Sequence, residues 1–270
     1  MRLERLDVKR GTDRLSVWVE RHPTANTVVV VFPAMGVPGG YYRRFASVLV
    51  EAGMTVAIAD LRGTGESAPP PSRKSDYGYG DLAGDVGAVL SALAPMTRNR
   101  RVVLLGHSLG GQACLIHLAR SQKGVDGLIL IAVAMPYWRL YGPKRLGVYG
   151  FTQGINAVSK VLGVWPGWGF GGRQARGVIR DWAYTARHGR FPASVGAEEK
   201  LGGISLPVLA ISVDADQYTP RGTMDFLVSK LESAKVRREH LTRAAAGYDI
   251  DHFKWVRAGG PIAELIRDWA

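Results

Sequence analysis

Apolar and polar residues follow two spacings along this chain, and the spacing of two predicts the strands. Residues 3–8 and 15–20 alternate apolar with polar positions around Gly11-Thr12-Asp13, which predicts an antiparallel hairpin at a sheet edge. Continuous apolar runs are typical of strands that are buried on both faces. The runs that predict the remaining strands are residues 27–32, 55–60, 102–105, 128–132, 206–212 and 236–241.

Helical spacing of three to four residues separates these runs. It predicts helices over residues 42–52, 79–93, 111–119, 223–231 and 261–270. Strands and helices therefore alternate with short links, which predicts a mostly parallel sheet with helices on both faces. The predicted fold class is α/β.

The alternation stops between residues 135 and 203. This segment holds four of the seven Trp residues, is rich in Gly and contains no buried-strand run, and residues 174–187 are its best helix candidate. We expect residues 1–134 and 204–270 to form the core, and residues 135–203 to form an inserted cap, or lid, subdomain. A lid over a catalytic edge is also where apolar substrate contacts would lie.

The central motif is Gly106-His107-Ser108-Leu109-Gly110, which follows a predicted strand and precedes a predicted helix. Strand, G-x-S-x-G and helix form the context of a nucleophile elbow, in which a sharp turn exposes the serine hydroxyl. The two glycines let the strand and the helix approach each other closely. Ser108 is therefore the candidate nucleophile. The Leu109 N–H, at a helix N-terminus, is free to bind an oxyanion.

A serine hydroxyl needs a general base, and the base needs an orienting carboxylate. The strand over residues 206–212 is followed by Asp214 and Asp216, and His252 lies near the C-terminus. His252 is the candidate base. His240 is a weaker alternative because it falls inside the last predicted strand. Asp251, beside His252, could tune the charge of that histidine, but neighbouring side chains rarely have the geometry of an orienting pair.

Several motifs together resemble the α/β-hydrolase superfamily across nearly the whole chain. They are Pro33-Ala34-Met35-Gly36, the stretch from Asp60 to Ser67, the elbow around Ser108, the stretch from Asp216 to Pro220, and the late His252. The resemblance implies an α/β-hydrolase fold. In the superfamily the acid often stands four residues before a proline, which favours Asp216 over Asp214. The cap and the Pro33–Gly36 loop resemble a poorly characterised bacterial branch with no settled substrate.

The same resemblance implies an oxyanion hole with two backbone donors. One is the N–H of Leu109, and the second comes from the loop after residues 27–32. The position of Pro33-Ala34-Met35 in this loop assigns the second donor to Met35, with Ala34 as the alternative. The superfamily often has His-Gly-x here. Pro33 replaces the His and has no N–H of its own.

These residues point to a serine hydrolase that cleaves an ester or thioester through an acyl-enzyme. The preference for esters over amides is implied by the resemblance. Two alternatives stay open: an acyltransferase that uses the same Ser-His-Asp set, and a non-catalytic binding protein on this scaffold. No metal or organic cofactor is implied. The expected partner is a small-molecule acyl substrate.

The formal net charge is +12, and residues 137–200 carry ten Lys or Arg against three Asp or Glu. This segment could attract an anionic or carrier-bound substrate or a membrane surface, or it could be a solvated basic surface. No nucleic-acid-binding motif is present, so no such partner is expected. The N-terminus lacks a signal-peptide core, which predicts a cytoplasmic location. The single Cys114 permits no disulfide within the chain and is expected to be buried.

Overall fold

An eight-stranded sheet forms the centre of the protein, whose computed structural model describes residues 3–269. The strands are β1 (Leu3–Arg10), β2 (Asp13–Glu20), β3 (Thr27–Phe32), β4 (Thr55–Ala59), β5 (Arg101–His107), β6 (Gly127–Ile131), β9 (Val208–Val213) and β10 (Val236–Leu241). Their order in the sheet is β1-β2-β4-β3-β5-β6-β9-β10. The β1–β2 and β2–β4 pairs are antiparallel, and the other pairs are parallel. A second, two-stranded sheet pairs β7 (Val164–Trp165) with β8 (Gln174–Ala175).

Helices cover both faces of the large sheet. They are α1 (Arg43–Glu51), α2 (Tyr79–Thr97), α3 (Leu109–Arg120), α4 (Arg145–Leu162), α5 (Arg176–His188), α6 (Arg221–Val228), α7 (Arg243–Ala246) and α8 (Gly259–Trp269). Short 3-10 turns lie at Gly39–Tyr42, Trp138–Leu140, Gly142–Lys144, Ala193–Val195, Glu198–Gly203 and Lys254–Arg257. The helices α1 and α8 pack on one face, and α2, α3 and α6 pack on the other.

Strand β3 shows why the apolar runs are continuous. Val28 and Val30 join the core under α2 and α3, whereas Val29 and Val31 join the core under α1 and α8. Successive side chains of a strand point to opposite faces, so a strand with helices on both faces needs apolar residues at every position. All four valines are fully buried. The predicted α/β class and mostly parallel sheet are confirmed.

The hairpin, the buried strands and the helices outside residues 135–203 are confirmed, with ends that shift by a few residues. Within residues 135–203 the predicted helix at 174–187 is confirmed as α5. Helix α4 was not predicted, because Gly147, Gly150 and Gly154 interrupt it and two of its three buried residues, Thr152 and Ser159, carry hydroxyl groups. The division into core and cap stays a prediction. Among residues 3–269 no helix is long and apolar enough to cross a membrane.

Candidate active site

Ser108 lies at the turn between β5 and α3, with φ of +50° and ψ of −118°. Residues other than glycine rarely adopt a positive φ, and such a strained backbone typically costs about 1–3 kcal/mol. The glycines on either side of Ser108 must be small because other backbone atoms pack closely against them. A Cβ on Gly106 would lie 2.2 Å from Gly111 Cα, and one on Gly110 would lie 2.1 Å from the Phe32 carbonyl oxygen. The sequence motif therefore produces the sharp, tightly packed turn of a nucleophile elbow.

Asp216 and His252 come from two separate loops and meet in the structure. Asp216 follows β9, His252 follows α7, and His252 Nδ1 lies 2.8 Å from Asp216 Oδ2. Both side chains are buried. Since an ionised carboxylate only accepts hydrogen bonds, Nδ1 of His252 carries the proton, and Nε2 of the neutral ring is left as the acceptor.

Backbone and side-chain donors fix the orientation of the Asp216 carboxylate. Its Oδ1 accepts the N–H groups of Tyr218, at 2.9 Å, and Thr219, at 2.8 Å. Its Oδ2 accepts a short hydrogen bond from the Thr219 hydroxyl as well as the one from His252. Because four donors fix the Asp216 carboxylate, that carboxylate holds the His252 imidazole in one orientation. Thr219 was not among the predicted site residues, although an Asp followed closely by Thr is a signal for such a turn.

Ser108 and His252 line the same cavity, together with Met35 and Leu109. Within the described residues the Ser108 hydroxyl makes no hydrogen bond. Hydrogen bonds between nucleophile and base are often long in unliganded enzymes and tighten in the complex with substrate. A serine side chain and an oriented imidazole therefore line the same cavity.

The alternative acid and base pair with each other instead. Asp214 Oδ1 lies 2.9 Å from His240 Nε2, and Ser212 Oγ lies 2.8 Å from His240 Nδ1. The N–H of Arg243, the nearby His240 and the Arg243 charge lower the pKa of Asp214 below its usual value. Neither Asp214 nor His240 lines the cavity. Asp251 also does not orient His252, because its carboxylate accepts the N–H groups of the two residues after His252.

Two residues that line the cavity, Leu109 and Met35, have backbone N–H groups that make no hydrogen bond within residues 3–269. Leu109 is the first residue of α3, so its N–H has no acceptor within the helix. Met35 lies in the loop after β3, where its N–H makes no hydrogen bond among the described residues. The N–H of Ala34, the alternative donor, is already bonded to the Tyr42 hydroxyl at 3.0 Å. The geometry thus favours Met35 over Ala34.

A buried network connects this loop with the elbow and with the His252 loop. The hydroxyl of Tyr42 lies 2.7 Å from His107 Nδ1, and Trp255 Nε1 donates to His107 Nε2 at 3.3 Å. An indole N–H can only donate, so His107 Nε2 accepts and Nδ1 carries the proton. Burial lowers the pKa of His107 well below its usual value, and the nearby His252 acts in the same direction. No local pattern in the sequence indicated this network, because its members lie in three distant segments.

Gly36 brings the loop after β3 into contact with the glycine-rich loop that follows α4. Its φ is +70°, and a Cβ at this position would lie 2.2 Å from the Gly171 carbonyl oxygen. A Cβ on Gly171 would in turn lie 2.7 Å from Met35 Sδ. Both glycines are therefore required for the close approach, and this contact closes one wall of the cavity.

The cavity measures about 410 Å³. The aromatic residues in its lining are Tyr141, Phe151, Phe170, Trp182, Tyr218 and Phe253. Among the described residues that line it there is no Asp, Glu, Lys or Arg. A cavity of this kind suits an uncharged, apolar group.

The remaining candidate residues have structural surroundings. Arg62 is partly buried and forms ion pairs with Asp13 and, at 2.5 Å, with Asp85. Cys114 is buried, and burial raises the pKa of its thiol. In the part of the chain that the structure describes, no group of three or more His, Cys, Asp or Glu could hold a metal ion.

Comparison with known families gives one extended match. The sequence model of the family described as serine aminopeptidase, S33, matches residues 23–190, more than half of the chain. RutD, a candidate carbamate hydrolase of Variovorax paradoxus (strain S110), is 31% identical over 109 residues. That stretch covers 40% of this chain and 39% of RutD, so well under two thirds of the relative is matched.

Solved structures match over nearly the full length. The thioesterase domain from the curacin biosynthetic pathway has a TM-score of 0.65 at 16% identity, covering 99% of this chain and 100% of that one. A thermophilic esterase from Thermogutta terrifontis has a TM-score of 0.64 at 17% identity, covering 98% and 97%. Est1E from Butyrivibrio proteoclasticus has a TM-score of 0.61 at 13% identity, covering 98% of each chain. At these identities the likeness concerns the fold, and the predicted α/β-hydrolase fold is confirmed.

Proposed function

Since this chain belongs to the serine aminopeptidase S33 family of α/β-hydrolase enzymes, we propose that it cleaves esters or thioesters of uncharged, apolar acyl groups. In this proposal Ser108 is the nucleophile, His252 the general base and Asp216 the orienting acid. The N–H groups of Met35 and Leu109 form the oxyanion hole. No metal or organic cofactor takes part.

The first half of the reaction forms an acyl-enzyme. Ser108 Oγ attacks the carbonyl carbon of the substrate, and His252 Nε2 takes the hydroxyl proton. The negative charge on the carbonyl oxygen is stabilised by the N–H groups of Met35 and Leu109, each typically worth about 3 kcal/mol of barrier. His252 then gives its proton to the departing alkoxide or thiolate, and the carbon–leaving-group bond breaks.

The second half releases the acid. A water molecule loses a proton to His252 Nε2 and attacks the acyl carbon. The bond from that carbon to Ser108 Oγ breaks, and His252 returns the proton to the serine oxygen. Throughout both halves Asp216 holds Nδ1–H of His252 and stabilises the imidazolium.

The observation that carries this proposal is the 2.8 Å contact between Asp216 and His252 at the rim of the cavity that Ser108 lines. A buried Asp or a buried His by itself is explained by an ordinary structural role. A buried carboxylate that meets a buried imidazole at a cavity which a strained serine also lines supports serine hydrolysis.

The lining of the cavity supports an ester rather than a peptide with a free amino terminus. An aminopeptidase substrate carries an α-ammonium group, which a carboxylate in the site would recognise. Within the described lining there is no Asp or Glu, and aromatic rings predominate. Burying an ammonium group without a partner is costly, so the cavity favours an uncharged acyl chain.

A fluorophosphonate probe and a p-nitrophenyl ester test this function. We expect the wild-type protein to be labelled and to hydrolyse p-nitrophenyl butyrate, and we expect Ser108→Ala to lose both properties. Equal labelling of wild type and Ser108→Ala would refute the proposal, as would an inert wild type, which would favour a binding protein. Adding competing alcohols distinguishes hydrolysis from acyl transfer, because transfer yields a new ester in place of butyrate.

A further inference from the structure

The outward side of α4 is apolar. The three buried residues of this eighteen-residue helix are Thr152, Ile155 and Ser159, two of which carry hydroxyl groups. Ile155 and Val158 pack against the core, but three other large apolar side chains are exposed: Leu146 is 69% exposed, Phe151 48% and Val161 85%. A surface helix normally keeps such side chains against the core.

Glycines make this side of the helix smooth. Gly150 and Gly154 are exposed, and a Cβ at either position would meet nothing within 4 Å. Spacings of three, four and seven residues bring them to the same side of the helix as Leu146 and Val161. We call Leu146, Gly150, Phe151, Gly154 and Val161 the α4 face. An exposed apolar patch of this kind marks an interaction site more often than scattered apolar residues do.

The α4 face borders the mouth of the cavity. Phe151 is exposed and also lines the cavity. Trp168, in the loop after α4, is 66% exposed, and its neighbours Gly167 and Gly169 line the same cavity. Exposed Trp and Phe rings beside an opening are typical of surfaces that dip into a lipid interface.

The segment that contains the α4 face is basic. Residues 137–180 contain seven Lys or Arg and no Asp or Glu. Two of the seven pair with Asp76, and the acidic residues of a neighbouring loop, Asp249 and Asp251, share a groove with the first turns of α4. Arg145 and Lys160 are exposed on α4 itself, and neither has an ion-pair partner among residues 3–269. Basic residues that flank an apolar helix face attract anionic lipid headgroups.

We propose that the α4 face docks on an anionic lipid surface, with Arg145 and Lys160 at the headgroups and Leu146, Val161 and Trp168 in the interface. The mouth of the cavity then faces the lipid, and an apolar ester can enter it without crossing water. The docking itself does not depend on the chemistry of Ser108.

A second copy of this chain is a poorer occupant. Two α4 faces packed together would bring two basic segments of the same sign against each other, and like charges across an interface oppose association. The basic residues of the segment 137–180 complement an anionic surface, and the same segment of a second copy has no acidic residue to pair with them.

Vesicle flotation tests the proposal. The probes are phosphatidylcholine vesicles with and without about 30% phosphatidylglycerol, at about 0.05 M and about 0.5 M NaCl. We expect the wild type to bind only the anionic vesicles, and to be released by salt. Leu146→Asn/Val161→Asn and Arg145→Gln/Lys160→Gln should each lower the partition coefficient by about 10-fold or more.

The matched control is Arg98→Gln/Lys123→Gln, which removes the same charge from exposed positions elsewhere. It should bind like the wild type, and the thermal midpoints of all three variants should match. Equal binding to neutral vesicles, absence of binding at low salt, or an equal loss in the control would overturn the proposal. So would a wild-type dimer that the Leu146→Asn/Val161→Asn variant dissociates. Fluorophosphonate labelling of Ser108 is measured separately on the wild type and on each variant. A variant that loses vesicle binding but keeps its labelling has lost the docking and not the proposed chemistry.

Discussion

Asp214 Oδ1 lies 2.9 Å from His240 Nε2, two residues from the place where Asp216 binds His252. The chain after β9 thus provides two acid–histidine pairs, of which one borders the cavity. The Asp214 pair has a half-exposed carboxylate, whereas the Asp216 pair is buried. The two pairs can be separated by experiment because each acid has a conservative amide variant.

Asp216→Asn should lower kcat for p-nitrophenyl butyrate by about 10⁴-fold, because the amide no longer holds His252 in the productive tautomer. Asp214→Asn is the matched control and should stay within about twofold, since its contacts are on the surface. Steady-state kinetics of both variants measure the difference. If Asp214→Asn proved the more damaging change, the assignment of the acid would be wrong.

The apolar lining predicts a dependence on acyl length. Each added methylene that enters the cavity should raise kcat/KM by about fourfold, from about 0.8 kcal/mol of burial, until the cavity is full. A p-nitrophenyl ester series from acetate to octanoate measures this rise. The monosuccinyl ester is the charged control and should be a much poorer substrate than the butyrate, because its carboxylate finds no cation in the described lining. A preference for the succinyl ester would contradict this view of the cavity.

Tyr42→Phe should lower kcat by about 10-fold and leave KM nearly unchanged. The substitution leaves the N–H of Ala34 and Nδ1–H of His107 without their acceptor, and a buried unpaired donor typically costs about 1–3 kcal/mol. The neighbouring Met35 N–H would then lose its fixed direction. Tyr41→Phe, which removes an exposed hydroxyl one residue away, is the control and should behave like the wild type. Equal effects of the two substitutions would argue against a positioning role for Tyr42.

Gly36→Ala should impair both folding stability and activity. A left-handed backbone typically costs alanine about 1–2 kcal/mol, and here the new Cβ would also collide with the Gly171 carbonyl. Gly11→Ala is a matched control, because Gly11 has φ of +62° and open space around it. Chemical denaturation should show a larger loss for Gly36→Ala, accompanied by a lower kcat/KM. Equal losses in the two variants would mean that the contact with Gly171 does not matter.

The buried His107 predicts that acid weakens the fold. Its pKa lies well below the ordinary 6.5, so below pH 6.5 the unfolded chain binds more protons at this residue than the folded chain does. The free energy of unfolding should therefore fall as pH falls below 6.5. Denaturation of wild type and His107→Asn between pH 7 and about pH 5 measures the slope. His107→Asn should have the shallower slope, and equal slopes in the two proteins would contradict the prediction.

Periodicity was sufficient for most of the fold. Strands with helices on both faces must be apolar at every position, so runs such as residues 27–32 identified the centre of the sheet without any knowledge of its neighbours. Helix α4 was not predicted because glycines interrupt it and because two of its three buried residues carry hydroxyl groups. A search for apolar positions alone does not detect a helix whose buried side is partly polar.

For the candidate site, the sequence by itself determined the residue types. G-x-S-x-G dictates a turn that only small neighbours permit, and chain order suggested one acid and one histidine from later loops. Only the tertiary structure decided which acid meets which histidine. That outcome depends on where β9 and β10 end and on how the loop with Thr219 closes, and such long-range contacts leave no local periodicity. The role of Tyr42 as the acceptor for Ala34, and with it the preference for Met35, likewise comes from packing between distant segments.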